Sequence, residues 1–186
     1  MSPHFPVHWQ KIAFIASLAC RHQGNYILFC EAIEQPDNAA SYRKILHKVW
    51  EYLAGQLNSM KNLEKALLLL EEITPNPEEH DNYGVYPALD ACTLLTSALQ
   101  MILDHDIDDL QDAAQLSLGT VAQFLEVSVE ADADEIAQHP LFEREQQLQD
   151  EVQRQLLNGE KHKHETIRQL RRMLSELDCS NLGIPN

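Results

Sequence analysis

The sequence predicts an all-α fold, a single domain of seven or eight helices whose last two form an antiparallel hairpin. Three observations carry it. Apolar residues recur at steps of three and four through almost every segment, no stretch alternates with a period of two, and only six glycines punctuate 186 residues of which 44% are apolar. A β-sandwich of this length needs many more turn signals. A chain this long buries roughly 70% of its unfolded surface, so one core forms without a disulfide or structural metal. No internal repeat, low-complexity tract or long linker divides it.

The first helix carries Trp9, Ile12, Ala16 and Ala19 and is expected to end near Gly24, with a short second helix from Asn25 stopping at Pro36. Asp37 or Asn38 is placed to cap a third, which lines up Tyr42, Ile45, Leu46, Val49 and Leu53. A fourth presents Leu63, Leu67 and Leu70 until ITPNP breaks it. The fifth begins at Pro87 and aligns Leu89, Cys92, Thr96, Leu99 and Leu103; the sixth, from about Asp108, aligns Leu110, Ala114, Ser117, Val121 and Phe124. Pro140 opens the seventh, where its missing amide costs nothing, and Asn158 with Gly159 closes it through a left-handed cap. Ile167, Leu170, Leu174 and Leu177 form one face of the eighth, and the short link makes the last two helices an antiparallel pair.

Four cysteines at 20, 30, 92 and 179 contain no CxxC pair, which suits reduced, mostly buried thiols in a cytoplasmic protein. IAFIASLAC at 12–20 ends on a cysteine as a lipoprotein signal would. Ser17 and the poor charged leader with Pro3, Pro6 and Trp9 argue against that reading, although Lys11 precedes the run, and nine residues cannot cross a bilayer that needs roughly 20. A buried N-terminal helix is expected, and no membrane partner.

Charge is segregated. The net charge is −15, and the 78 residues between Lys65 and Arg144 hold 17 of the 29 acidic residues and no lysine or arginine. The remainder carries 14 basic against 12 acidic residues. Helical spacing puts Lys161, His164, Arg168 and Arg172 on one face, with Arg171 beside them, a candidate surface for an anion or a partner. Complementation of the two regions within one molecule or between subunits is the plainer reading. Such acidity repels phosphate backbones, so nucleic acid is not an expected partner.

Chemical motifs are incomplete. DHDIDDLQD at 104–112 begins like a calcium loop but offers Asp109 where glycine is needed and Gln115 where glutamate is needed, so its acids are expected to cap and flank a helix. A di-metal bundle wants Glu-x-x-His pairs, and none occurs; the available same-face pairs are Glu31 with Glu34, Asp106 with Asp109, Asp109 with Asp112, and His47 with Glu51. The nine histidines lack cysteine partners at zinc spacing and are expected to be solvated. No nucleophile elbow or phosphate-binding glycine loop is present. No catalytic residue, metal or cofactor is therefore assigned.

In HDNYGVYPALDAC, Gly84 is expected to supply a turn, Pro87 to start a helix and Asp90 to meet the helix dipole in its first turn. Tyr83, Tyr86 and Asp90 thus form either a loop-to-helix joint or a small polar ligand site. If Asp90 is buried, Arg21, Arg43 or Arg144 must supply its counter-charge. YGVYPALDAC at 83–92, with NYILFC at 25–30, YRKILHKVWEYL at 42–53 and SNLGI at 180–184, resembles the YjaG-like family of bacterial proteins over essentially the whole chain. The resemblance implies an all-α cytoplasmic protein and carries over no catalytic residue. The expected function is a binding or interaction module, acting as a homo-oligomer or on a protein partner. The alternative is a divalent-metal-dependent all-α hydrolase built on helix-borne carboxylates.

Overall fold

The computed structural model describes residues 3–185. Among them are eight α-helices: α1 (His8–Ala32), α2 (Pro36–Leu53), α3 (Met60–Ile73), α4 (Val85–Leu103), α5 (Leu110–Val129), α6 (Ala133–Ala137), α7 (Pro140–Asn158) and α8 (Lys163–Ser175). A 3₁₀ turn spans Pro77–Glu79, and the sole β pairing among the described residues is an isolated bridge between Cys179 and Pro185. The all-α expectation holds, with a different division of helices.

The first two expected helices are one. Gly24 lies inside α1 and is buried, with Asn25, Tyr26, Phe29 and Cys30 continuing the buried surface beyond it. A glycine inside a helix costs about 1 kcal/mol relative to alanine, whereas burying a large side chain returns about 1.5–3 kcal/mol, so the core overrides the local signal. Of the segment resembling an export signal, residues 12–19 are all buried within this helix and Cys20 is half-buried. α1 is the hub of the fold and packs against α2, α4, α5, α7 and α8.

Buried hydroxyls register the neighbouring helices on α1. Tyr42 donates to the carbonyls of Ala19 at 2.9 Å and Ala91 at 3.1 Å, which ties α2 to both α1 and α4. Tyr26, whose ring stacks on Tyr42 at 4.8 Å, donates to the carbonyl of Ile73 at the end of α3. The main core also takes in α4, which is long and apolar enough to cross a bilayer but has 61% of its apolar window buried against other helices. A smaller cluster joins Val121, Leu125, Ile136 and Leu182.

Several boundaries move for identifiable reasons. α2 starts at Pro36 after Gln35, without a side-chain cap from Asp37 or Asn38, because the fixed φ of proline suits the first helical position. α4 starts two residues before Pro87. Asp109 precedes α5 without capping it through its side chain; Asp108 accepts from the Leu110 amide at 3.5 Å and pairs with Lys11. α6 was not foreseen: its five residues are too few for periodicity, and a reciprocal Asp132–Glu135 capping box holds it. His139 caps α7 by accepting from the Leu141 amide at 3.2 Å, with Pro140 in the expected first position.

Gly159 closes α7 without entering the left-handed region, its φ being −94°. Space rather than backbone conformation requires it: a Cβ there would lie 1.9 Å from Thr166 Oγ1 and 2.5 Å from its methyl carbon. Thr166 cannot easily yield, since its hydroxyl reaches the carbonyls of Gly159 at 3.1 Å and His162 at 3.0 Å. Gly159→Ala is therefore expected to cost about 1–3 kcal/mol in urea unfolding through overpacking of the α7–α8 connection. Unchanged stability would show that the hairpin absorbs the methyl group freely.

Candidate functional site

The loop-to-helix stretch leads into α4 and packs against α5. Gly84 has ordinary helical angles, φ −57° and ψ −18°, so it supplies no special turn; a Cβ would instead press on Asn82 Oδ1 at 3.0 Å. Tyr83 leans on Phe124 of α5, ring centroids 6.3 Å apart, and on Tyr86 at 5.9 Å, while Tyr86 itself is 44% exposed. Burial, then the neighbouring charges of Asp90 and Glu126, holds the Tyr83 hydroxyl above its ordinary pKa.

Asp90 stands in the second turn of α4, because the helix starts at Val85. Its carboxylate accepts from Thr120 Oγ1 at 2.6 Å on α5. None of the three expected arginines pairs with it: Arg21 pairs with Glu145, Arg144 lies near Cys179 Sγ, and Arg43 faces α8 across a cleft. Burial raises the Asp90 pKa, and the Thr120 hydrogen bond only partly offsets it. One neutral hydroxyl thus does the work assigned to a cation.

The fold's main polar cluster lies elsewhere and was missed. Arg21 Nε donates to Glu145 Oε2 at 3.3 Å, with side chains 3% and 0% exposed, and Arg21 also donates to the Cys179 carbonyl. Ser117 Oγ donates to Glu145 Oε1 at 2.6 Å; His22 Nε2 lies 2.9 Å from both Ser117 Oγ and Asn181 Nδ2. Asn25 Nδ2 then donates to Asn181 Oδ1 at 2.8 Å. Burial pushes the Glu145 carboxyl up despite the bond from Ser117 and the nearby Arg21 charge.

His22 is wholly buried, contrary to the expectation of solvated histidines, because α1 runs through the centre of the core. Burial first, and the Arg21 charge second, lowers its pKa to about 3. Its Nδ1 has no protein acceptor among the described residues, so an imidazolium could not satisfy both ring protons. Ser117 and His22 touch as a nucleophile and base would. Yet the carboxylate holds Ser117 rather than His22 Nδ1, and all three side chains are sealed from solvent. The cluster is structural: it locks residues 179–181 to α1, α5 and α7.

The carboxylate pairs considered for metal are dispersed. Glu31, Glu34, Asp106 and Asp112 are exposed, and His47 pairs with Glu51 at 3.5 Å. Among the described residues no three His, Cys, Asp or Glu side chains converge, so the donor set of the hydrolase alternative is not assembled there.

The basic residues do gather. Lys161 lies before α8 rather than on it, because His162 is non-helical at φ −127° and ψ 47°. His164, Arg168, Arg171 and Arg172, with Ile167, line an open cleft of about 520 Å³ closed on its other side by Ala54 and Gln56. Arg172 forms an exposed ion pair with Glu176; among the described residues no carboxylate pairs with Arg168 or Arg171. Within the acidic stretch the sole ion pair among the described residues is Lys11–Asp108. Among the described residues the acidic stretch and the α8 face thus form no ion pair with each other.

Comparison with known proteins is consistent along the chain. The family model "Protein of unknown function (DUF416)" matches residues 7–185. "Uncharacterized protein YjaG" of Salmonella typhimurium is 34% identical, covering 95% of this chain and 90% of its own length; that of Escherichia coli K12 is 33% identical with the same coverage. A crystal structure of a DUF416 family protein from Shewanella baltica superposes with a TM-score of 0.87 at 30% identity, covering 97% of this chain and 94% of that one.

Proposed function

Since the chain belongs to the DUF416 family, a family of unknown function, we propose from its own geometry that it is a non-catalytic interaction protein whose α8 face takes an acidic protein surface. One observation carries this reading. In a chain of net charge −15, His164, Arg168, Arg171 and Arg172 share one cleft, and the 78-residue acidic stretch does not neutralise them. A second copy supplies a complementary surface at equal concentration, so self-association through unlike charges is the specific form of the proposal. A cytoplasmic location belongs to the same reading, as all four cysteines are free thiols.

Sedimentation of the wild-type chain at low and high salt tests it. Association at low salt that weakens at high salt is expected, because exposed charges are screened over about 10 Å at 0.1 M. The triple variant R168E/R171E/R172E should remain monomeric in both conditions. A wild-type monomer at low salt, or a triple variant that associates like wild type, would overturn the proposal.

A further inference from the structure

A second cleft lies on the other side of Arg171, between α1, α2 and α8, with a volume of about 340 Å³. Each helix contributes residues from a single face. α2 supplies Arg43, Leu46, His47 and Trp50 at steps of three, one and three; α8 supplies Arg171 and Leu174; α1 supplies Cys20 and Gln23. Leu46, Trp50 and Leu174 are at most 4% exposed and make an apolar floor. Arg43 and Arg171 stand above it from different helices, and neither has a carboxylate partner among the described residues. No acidic residue lines the cleft among the described residues.

From this geometry we infer that the cleft between α2 and α8 is a binding site for a small organic phosphate with a compact apolar body. An apolar hollow of a few hundred Å³ with a few converging polar groups is the usual form of a small-molecule site. Two guanidinium groups from different helices match the two charges of a phosphate monoester, whose three terminal oxygens take both forks. The apolar body then covers Trp50 and Leu46. Cys20 does not compete for the arginines: burial pushes its thiol up to about 11, which keeps it neutral despite the nearby Arg171 charge.

This site shares Arg171 with the interaction face but does not depend on self-association. Phenyl phosphate is the probe, titrated into the full chain at low salt and followed by ¹H–¹⁵N NMR, with phenol and inorganic phosphate as controls. Saturable shifts of the amides around Trp50 and Arg171 are expected, with affinity lowered about tenfold or more in R43E and R171E. R43Q should lie between R43E and wild type, whereas R154E should bind as wild type. Both controls should bind more weakly, one lacking the charge and the other the body.

Three results would overturn the site: no saturation in wild type, equal affinity in R43E and wild type, or equal affinity for phenol and phenyl phosphate. Salt-sensitive association without phenyl phosphate binding would sink this site alone. Phenyl phosphate binding by a wild-type chain that stays monomeric would support the site and sink the association proposal alone.

Discussion

Replacing Arg21 with alanine lowers the free energy of unfolding by about 3–5 kcal/mol, read from urea unfolding at neutral pH. The size follows from burial. Glu145 is fully enclosed, and removing the guanidinium leaves its carboxylate with only the neutral donors of Ser117 and Gln149, while the Cys179 carbonyl loses the donor that Arg21 supplies. A buried carboxyl stripped of its cation must take a proton or distort the core. The cost is thus chiefly that of an orphaned group rather than the worth of a contact. In a double-mutant cycle, Arg21→Met with Glu145→Leu should cost clearly less than the two single changes added together. Additive costs would show that the two side chains act independently.

Acid removes a comparable amount of stability through His22. Between about 6.5 and about 3, the unfolded chain accepts a proton on this imidazole that the folded chain refuses. Stability therefore rises with pH across that window, is fully present above the unfolded pKa, and is lost on acidification; the shift corresponds to about 5 kcal/mol. Asp90 and Glu145 act in the opposite sense. Their raised pKa values favour the folded state as pH falls toward the ordinary carboxylate range, so they soften the loss without reversing its cause. His22→Gln should flatten the dependence of the urea midpoint on pH in this window. An equally steep fall in that variant would assign acid sensitivity to other groups.

The helical faces were largely legible in the sequence because they are set by neighbours three and four residues away. The stripes through Tyr42 and Val49, Leu63 and Leu70, or Ile167 and Leu174 reappear as buried faces of α2, α3 and α8. Gly24 misled because its local cost was visible and the remote burial that overrides it was not. Arg21 and Glu145 lie 124 residues apart, and Asn25 and Asn181 lie 156 apart, so no local spacing announces their network. SNLGI contained one of the needed residues but not its destination. The cationic face was partly legible through the spacing of His164, Arg168 and Arg172. Arg43 on α2 was not, because its place opposite Arg171 depends on how two distant helices pack.

The segment from Cys179 to Ile184 gives this architecture a timetable. Protein synthesis runs from the N-terminus, and much local structure can form while a chain is still attached to the ribosome. A nascent chain that has emerged as far as Asp178 already holds Arg21, Asn25, Ser117 and Glu145, but not the Cys179 carbonyl or the Asn181 amide that bind into their network. The apolar cluster that takes in Leu182 is likewise open at that moment. Closure therefore waits for these few residues to leave the exit tunnel, and a chain released before them presents a polar seam where the finished molecule has a sealed interior.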